Sequence, residues 1–200
     1  MNSNVCSTLT VCALMCVSGR GADAPALGTL VDASFAEADL ATVLALYRSE
    51  NQVNVLVRAA GTNHPPITLE LKKVPLGEVL RFVARSVNMT YEPRPFGAIF
   101  SAPYQPMPAR PPTNVLRAKL QQRIDVAFKE QPLLDAVQCV VQGNAINLVL
   151  IQPAAWADKK VTLTLSKVTI AQVLQYLQEF SRVPISIDGC AVVVGGTATK

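Results

Sequence analysis

The most informative pattern in the chain is an alternation of hydrophobic and polar residues that changes into helical spacing. In residues 67–80, ITLELKKVPLGEVL, apolar side chains alternate with Thr68, Glu70 and Lys72, and residues 161–174, VTLTLSKVTIAQVL, repeat the pattern in step. A period of two predicts a half-buried strand, and a period near 3.6 predicts an amphipathic helix. The predicted helical stripes are Leu76, Val79, Leu80, Val83 and Ile170, Val173, Leu174, Leu177. A strand that runs straight into a helix, present twice, predicts an internal repeat.

The repeat extends in both directions, with one inserted residue in the loop before residue 161. Aligned pairs are Phe35 with Phe128, Leu40 with Leu133, Leu44 with Val137, Asn54 with Asn147 and Ile99 with Val193. Each unit spans about 70 residues, the size of a small domain and too long for a solenoid repeat. We therefore predict an α+β protein with two tandem βαββαββ two-layer sandwich domains, at residues 30–101 and 123–195, joined by a Pro-rich linker.

Proline marks the boundary between the two units. Residues 102–113 hold five of the fourteen prolines, which excludes a sustained helix or a central strand. Residues 102–122 are therefore predicted to be a semi-rigid polyproline spacer followed by a polar lead-in to the second unit. The alternative is a proline-rich ligand for an aromatic groove on another protein.

Residues 1–24 resemble an export leader. Residues 9–17, LTVCALMCV, are apolar over the length of an h-region, and Ser18 and Gly19 supply the small residues of a cleavage site. No lysine or arginine precedes the apolar run, so a mis-assigned start or an apolar tail is the alternative. No apolar run reaches the roughly 18 residues that span a bilayer, and we expect no membrane span in the mature chain.

Composition narrows the classes of function. Half of the 200 residues are hydrophobic and 16% are charged, which is ample material for packed cores. The net charge of +4 is spread along the chain without a Lys/Arg run, so we expect no nucleic-acid groove. The strand and helix order is shared with KH domains, but their GxxG loop is absent from the sequence.

The ionisable residues do not form a catalytic constellation in the sequence. The lone His64 sits in a proline-flanked loop, which is typical of a solvated histidine. One histidine without a Cys-x-x-Cys pair does not make a zinc site, and no glycine-rich loop follows a strand to hold phosphate. We expect no enzyme, no metal and no cofactor. The alternative is a small-ligand enzyme on a ferredoxin-like sandwich, which needs a cleft with convergent polar groups.

Cys139, Cys190 and Trp156 are candidates for a specific role. Cleavage of the leader leaves Cys139 and Cys190, an even number that allows a disulfide in an oxidising compartment. The alternative, favoured by its alignment with Leu46, is that Cys139 is a buried apolar residue. Trp156 lies in the loop PAAWADKK, where it is either a binding anchor or, as we expect, an aromatic folded back onto its own core.

The stretches VDASFAEADLATVLALYRSENQVNVLVR and ITLELKKVPLGEVLRFVARSVNMTYE resemble the short N-terminal (STN) domain shared by bacterial secretins and TonB-dependent signalling receptors. The resemblance rests on a strand ending in Phe, a Leu-x-x-Val-Leu helix, a strand with Asn54, and Val74-Pro75-Leu76 before Val79-Leu80. The second unit keeps the pattern with Phe128, Asn147, Thr162-Leu163 and Val168-Thr169-Ile170. These are mostly core and helix-start positions, so they indicate fold more than role.

The resemblance implies a periplasmic sandwich that docks other proteins. In secretins the domain faces the inner-membrane machinery, and in TonB receptors it passes a signal to an anti-sigma regulator. We therefore expect a non-catalytic protein-interaction and assembly module of secretion or pilus machinery, associated with the outer membrane or free in the periplasm; the alternative is a signalling domain that contacts an anti-sigma regulator. Because the sequence ends at Lys200, we expect either a free-standing adaptor or part of a longer secretin or receptor.

A docking position follows from the sheets that the resemblance implies. Small sheets have edge strands that a partner strand can extend. Residues 89–96 are predicted to form such an edge, because they are a closing strand broken by prolines. The predicted docking residues are Met89, Tyr91 and Phe96.

Overall fold

The structure is a computed structural model that describes residues 27–51, 53–58, 64–94, 97–102, 104–105 and 109–196. The predicted leader, residues 1–24, and the predicted docking residue Phe96 lie outside the described residues. Helices and sheets are mixed along the described chain, so the predicted mixed α and β class is confirmed. No helix among the described residues is long and apolar enough to cross a bilayer.

Strands and helices follow one another in the same order in two halves of the chain. The first half (residues 30–101) contains β1 (Leu30–Ala38), α1 (Leu40–Asn51), β2 (Asn54–Arg58), β3 (Ile67–Pro75), α2 (Leu76–Ser86), β4 (Thr90–Arg94) and β5 (Gly97–Ser101). A further helix, α3 (Asn114–Leu120), precedes the second half. The second half (residues 123–195) contains β6 (Arg123–Pro132), α4 (Leu133–Gln142), β7 (Asn147–Ile151), a 3-10 turn (Pro153–Ala155), β8 (Lys160–Thr169), α5 (Ile170–Ser181), β9 (Ile185–Asp188) and β10 (Ala191–Gly195).

Helix α3 corrects the predicted polar lead-in. Thr113 caps its N-terminus, because the Thr113 hydroxyl accepts a hydrogen bond from the Leu116 N–H at 3.3 Å. Leu116 and Leu120, four residues apart, are buried in the core of the second half. The apolar pair spaced by one helical turn was the signal in the sequence for this helix.

The two long antiparallel strand pairs, β1–β3 and β6–β8, contain bulges at matching places. The bulge residues Glu37 and Glu130 have φ values of 52° and 51°. Their N–H groups donate to the hydroxyls of Thr68 at 3.1 Å and Thr162 at 3.0 Å. These bonds offset the strain of a left-handed conformation in a residue with a side chain. The extra residue also interrupts the alternation of buried and exposed positions.

Helix α5 begins with a capping box. The Thr169 hydroxyl accepts from the Gln172 N–H at 3.3 Å, and the Gln172 side-chain oxygen accepts from the Thr169 N–H at 2.9 Å. Two N–H groups that the helix itself leaves without partners are therefore satisfied. This cap fixes the point at which β8 turns into the helix.

The strands form three sheets, and the largest contains strands from both halves. The sheet orders are β1-β3-β7-β10-β9, β2-β5-β4 and β6-β8. Strand β3 of the first half pairs antiparallel with β7 of the second, with Thr68 opposite Leu150, Leu69 opposite Val149 and Glu70 opposite Leu148. The sequence pattern did not predict this pairing, which makes one continuous sheet across the two halves.

Successive side chains of β7 and β10 enter different cores. Leu148, Leu150, Val192 and Val194 belong to the core of the second half. Val149, Ile151, Ala191 and Val193 belong to the core of the first half. The two strands pair in parallel and are covered on both faces. This is why residues 148–151, LVLI, and 191–194, AVVV, are continuously apolar instead of alternating.

Tyr47 on α1 carries an unsatisfied buried group. Its ring packs edge-on against Phe35, with centroids 6.0 Å apart, and its hydroxyl is buried without a hydrogen-bond partner among the described residues. Burial, aided by the charge of Glu50, raises the pKa of Tyr47 well above its ordinary value.

We predict that Tyr47→Phe raises the free energy of unfolding by about 1 kcal/mol, because it removes a buried donor that has lost its water. Urea denaturation measures the change. Tyr176→Phe, at an exposed tyrosine, is the control and is expected to change stability by less than about 0.5 kcal/mol. A loss of stability in Tyr47→Phe would show that the hydroxyl has a partner in solution.

Candidate functional site

Helix α2 is buried on two sides. The predicted stripe, Leu76, Val79, Leu80 and Val83, lies in the core of the first half as expected. Arg81, Phe82 and Ser86 lie outside that stripe and are nevertheless buried. Phe82 belongs to the same buried cluster as Val149 and Val193 of the second half. The second face of α2 is therefore covered by the β7–β10 part of the five-stranded sheet.

A buried ion pair accompanies this contact. The Arg81 guanidinium on α2 holds the Asp188 carboxylate of β9 with two bonds, Nη1 to Oδ2 at 2.8 Å and Nη2 to Oδ1 at 3.0 Å. Arg85 donates to the same Oδ2 at 2.9 Å, and the Arg110 backbone N–H donates to Oδ1 at 3.0 Å. Asp188 is 1% exposed and accepts all four of these bonds.

Glu78 closes the cluster on its other side. Its Oε2 accepts from Arg81 Nε at 3.1 Å and from Nη2 at 2.9 Å, and its Oε1 binds the guanidinium of Arg110. The five residues Glu78, Arg81, Arg85, Arg110 and Asp188 are called the ionic cluster below. The ionic cluster connects three segments: α2 of the first half, the linker and the end of β9.

The partners of the ionic cluster keep it charged. Burial alone would raise the pKa of Asp188, but the hydrogen bonds from Arg81 and from the Arg110 N–H outweigh it and hold the pKa below its ordinary value. Burial likewise opposes the charge on Arg81, yet bonding to Asp188 raises the pKa of Arg81. Both groups are therefore ionised at neutral pH. Their chemistry is that of a structural clamp, because neither has a proton to exchange near pH 7.

The linker is bound to the second half. The Gly189 N–H donates to the Arg110 carbonyl at 3.1 Å, and the Thr113 N–H donates to the Gly189 carbonyl at 2.9 Å. Gly189 has a φ of 60° in the β9–β10 turn, a conformation that favours glycine. Residues 109–113 thus follow the turn as an extended segment, and the predicted spacer is in contact with the fold here.

The β3–β7 pairing is reinforced by side chains. The Asn147 side chain accepts from the Lys72 N–H at 2.8 Å and donates to the Lys72 carbonyl at 3.5 Å. Gln142 donates to the Glu70 carboxylate at 2.7 Å. We call the whole contact between the halves the joint. The joint consists of the β3–β7 pairing, the second face of α2 on β7 and β10, and the ionic cluster.

The strand predicted to dock a partner lies at a sheet edge, but two of its predicted docking side chains are buried. Strand β4 is the outermost strand of the β2-β5-β4 sheet in the part of the chain that the structure describes. Met89 and Tyr91, however, are buried in the core of the first half, with Tyr91 edge-on against Phe100. Their side chains are therefore core residues and are not available to a partner.

The disulfide that the sequence allowed is not formed. Cys139 and Cys190 are both free thiols. Cys139 is exposed on α4, so the alternative of a buried apolar residue is wrong as well. Cys190 is half-buried beside the ionic cluster, and burial raises the pKa of its thiol.

The sequence predicted no binding or catalytic role for Trp156 or His64. Trp156 is buried in the core of the second half, and its indole N–H donates to the Ile151 carbonyl at 3.0 Å, so the prediction that it folds back is confirmed. His64 is half-buried in a loop. Among the described residues, no group of His, Cys, Asp and Glu could hold a metal ion.

Two surfaces that correspond to buried parts of the joint carry exposed side chains. Helices α2 and α5 begin at Leu76 and Ile170, so Tyr176 stands where Phe82 does and Phe180 where Ser86 does. Phe82 is fully buried, but Tyr176 is 39% and Phe180 is 66% exposed. We call Gln175, Tyr176, Glu179 and Phe180 the α5 face.

The first half has the complementary surface, which is exposed along β2 and at the end of β4. Leu56 of β2 pairs with Ile99 of β5, as Val149 of β7 pairs with Val193 of β10. Val149 and Val193 are fully buried at the joint, whereas Leu56 is 48% exposed and Ile99 is 5% exposed. We call Asn54, Leu56, Arg58 and Arg94 the first-sheet face. Sequence reasoning missed both faces; the uneven burial of aligned residues was visible only once the joint was known.

A comparison of the chain with protein-family models, with curated proteins and with solved structures found no match.

Proposed function

We propose that this chain is a non-catalytic protein-interaction and assembly module in the periplasm, made of two tandem βαββαββ sandwich domains. The resemblance to the short N-terminal domain of secretins supports this proposal. Matching local devices in the two halves support the duplication. For example, the Lys73 N–H donates to Asp32 at 2.7 Å, and the Lys167 N–H donates to Asp125 at 2.7 Å. The proposed partners are components of secretion or pilus machinery.

One observation carries the proposal: large apolar side chains are exposed on surfaces whose counterparts elsewhere in the same molecule are covered by protein. Tyr176 and Phe180 lie one helical turn apart on the α5 face, and Leu56 lies among polar residues on the first-sheet face. Contiguous exposed apolar surface marks interaction sites in soluble proteins, whereas single exposed residues do not. Aromatic residues in such positions are typical anchors of protein interfaces.

The buried ionisable groups support a structural role in preference to a catalytic one. General acids and bases work best when their pKa lies near the operating pH. Asp188 and Arg81 are shifted the opposite way, toward their charged forms, by the bonds that connect the two halves. The polar chemistry of this protein is used to hold a rigid platform on which the open faces are displayed.

Capture of partners by the immobilised full chain from membrane extracts of the source cell tests the proposal. We predict that Phe180→Asp reduces capture by about 30-fold or more, because truncating an aromatic anchor typically costs about 2 kcal/mol or more of binding energy. Val115→Asp is the matched control, because Val115 is 70% exposed on α3 and lies outside both faces. Both substitutions are expected to leave the free energy of unfolding within about 0.5 kcal/mol of the parent.

Two results would overturn the proposal. If the wild-type chain captures no protein, the interaction function is rejected. If Phe180→Asp and Val115→Asp capture equally, the α5 face is not the docking surface. An anti-sigma regulator among the captured proteins would reassign the module from secretion machinery to signalling.

A further inference from the structure

We propose that copies of this chain associate head to tail, with the α5 face and β8 of one copy seated on the first-sheet face and β2 of the next. The contact repeats, between chains, the joint that connects the halves within one chain. The proposal deepens the proposed function and rests on it, because it names a second copy of this chain as the partner of the α5 face.

The strand edges that such a contact needs are available. In the described part of the chain, β8 has β6 as its one neighbour and β2 has β5 as its one neighbour. Strand β3 holds the position in the β1–β3 pair that β8 holds in the β6–β8 pair. Strand β3 also pairs with β7, the counterpart of β2. Transposing the β3–β7 register places Leu163 of one copy opposite Leu56 of the next. Edge strands with unpaired backbone groups add strands readily.

The apolar side chains of β8 are less buried than the aligned side chains of β3, as the proposal requires. Leu69 and Leu71 on β3 are 2% and 1% exposed at the joint. Their counterparts on β8, Leu163 and Leu165, are only partly buried. The difference indicates that β8 lacks the cover that β3 receives from the second half.

Asn54 supplies side-chain hydrogen bonds at the proposed pairing of β2 with β8 of another copy. At the joint, the side chain of Asn147 binds both backbone groups of Lys72. Asn54 has the same place on β2 that Asn147 has on β7, and its side chain is exposed. Ser166 corresponds to Lys72, so we expect Asn54 of one copy to bind the backbone of Ser166 in the next.

The charges on the two open faces are complementary, and they are the reverse of those at the joint. At the joint, Arg81 and Arg85 on the helix meet Asp188 at the end of the sheet. On α5 the same helical positions hold Gln175 and Glu179. Arg94 holds the position of Asp188, since Arg94 pairs with Gly97 as Asp188 pairs with Ala191.

The reversed charges favour the first-sheet face over the sheet of the second half as the surface that binds α5. Glu179 on α5 is about one helical turn from Gln175, which donates to it at 3.1 Å, and Arg94 is held by Glu92 at 2.7 Å with about half of its side chain exposed. Seating α5 on the first-sheet face brings Glu179 to Arg94. Seating α5 on the sheet of the second half would bring Glu179 to Asp188, a like-charge contact that disfavours the wrong pairing.

The geometry of association follows from the two faces. Each chain carries one α5 face and one first-sheet face, and the two are different surfaces. Such a heterologous contact leaves one face of each kind open on every dimer. Association therefore continues beyond a dimer into rings or open chains, and it does not stop at a two-fold symmetric pair.

Sedimentation velocity on the purified full chain over a range of concentrations tests the proposal without any other protein. We predict that the mean mass of the wild type rises with concentration beyond that of a dimer. Glu179→Arg and Arg94→Glu each place like charges at the contact, and each is expected to weaken association by about tenfold or more. An equimolar mixture of the two variants is expected to associate beyond a dimer with near wild-type affinity, as alternating copies. The arginine introduced on α5 of one variant then meets the glutamate introduced on β4 of the other, and the native Glu179 and Arg94 meet at the next contact.

Thermal unfolding of each variant confirms that the fold is intact, and Val115→Asp serves again as the control. A wild-type chain that stays monomeric at all concentrations would overturn the proposal. So would variants that associate as strongly as the wild type, or a mixture that stays monomeric. Capture of other proteins by a chain that is monomeric alone would reject self-association and leave the proposed docking function standing.

Discussion

Asp188→Ala is expected to lower the free energy of unfolding by about 3–5 kcal/mol, because it leaves the buried Arg81 guanidinium without its partner. Asp188 also accepts from Arg85 and from the Arg110 N–H, so the substitution loosens the second half from both α2 and the linker. Chemical denaturation measures the loss. Asp158→Ala, at an exposed aspartate of the second half, is the control and is expected to change stability by less than about 0.5 kcal/mol.

A second variant separates the charge from the packing. Replacing both partners by apolar residues, Arg81→Met with Asp188→Leu, is expected to recover much of the loss, because no uncompensated charge stays buried. A loss below about 1 kcal/mol in Asp188→Ala would contradict a buried, fully bonded pair.

The pH dependence of stability has a definite sign at this site. The pKa of Asp188 is lower in the folded protein than in the unfolded chain, where an aspartate titrates at about 3.9. The contribution of the pair is therefore complete above that value and is lost as the pH falls through the folded-state pKa. The stability of the wild type is expected to fall more steeply below about pH 4 than that of Asp188→Ala.

Phe82→Ala is expected to cost about 3–5 kcal/mol, the typical cost of truncating a fully buried phenylalanine. Phe82 is buried on the face of α2 that the second half covers, and its ring also lies 4.5 Å from the Arg81 guanidinium carbon. The matched control is Tyr176→Ala, at the same helical position of α5. Both variants are made in the weakly associating Arg94→Glu background, where the exposure of Tyr176 limits the expected cost to about 1 kcal/mol. Urea denaturation of the two variants gives the comparison, and equal losses would show that the joint does not cover α2 in solution.

Individual strands and helices could be predicted because the spacing of apolar residues along the chain determines them. The alternation around Leu69 and Leu163 predicted β3 and β8, and the stripes that begin at Leu76 and Ile170 predicted α2 and α5. Helix α3 was missed because prolines dominate the stretch before it, although Thr113 is a good N-cap and Leu116 and Leu120 have helical spacing.

The joint could not be predicted from the same signals. Arg81 and Arg85 have the spacing of an ordinary solvated helix face, and only the arrival of Asp188 from more than 100 residues away makes them buried. The apolar runs of β7 and β10 indicated strands covered on both faces, but a sequence does not say which element provides the second cover. The same limit applies to Met89 and Tyr91, whose strand lies at a sheet edge while their side chains point into the core.

Differential scanning calorimetry of the full chain tests most directly whether the joint makes the two halves into one folding unit. Arg94→Glu provides a weakly associating background in which unfolding is not coupled to self-association. We predict a single transition with equal calorimetric and van't Hoff enthalpies, because β3 and β7 share a sheet and α2 belongs to both cores. Two resolved transitions, with only one of them shifted by Asp188→Ala, would show that the two halves unfold separately and would contradict a single folding unit.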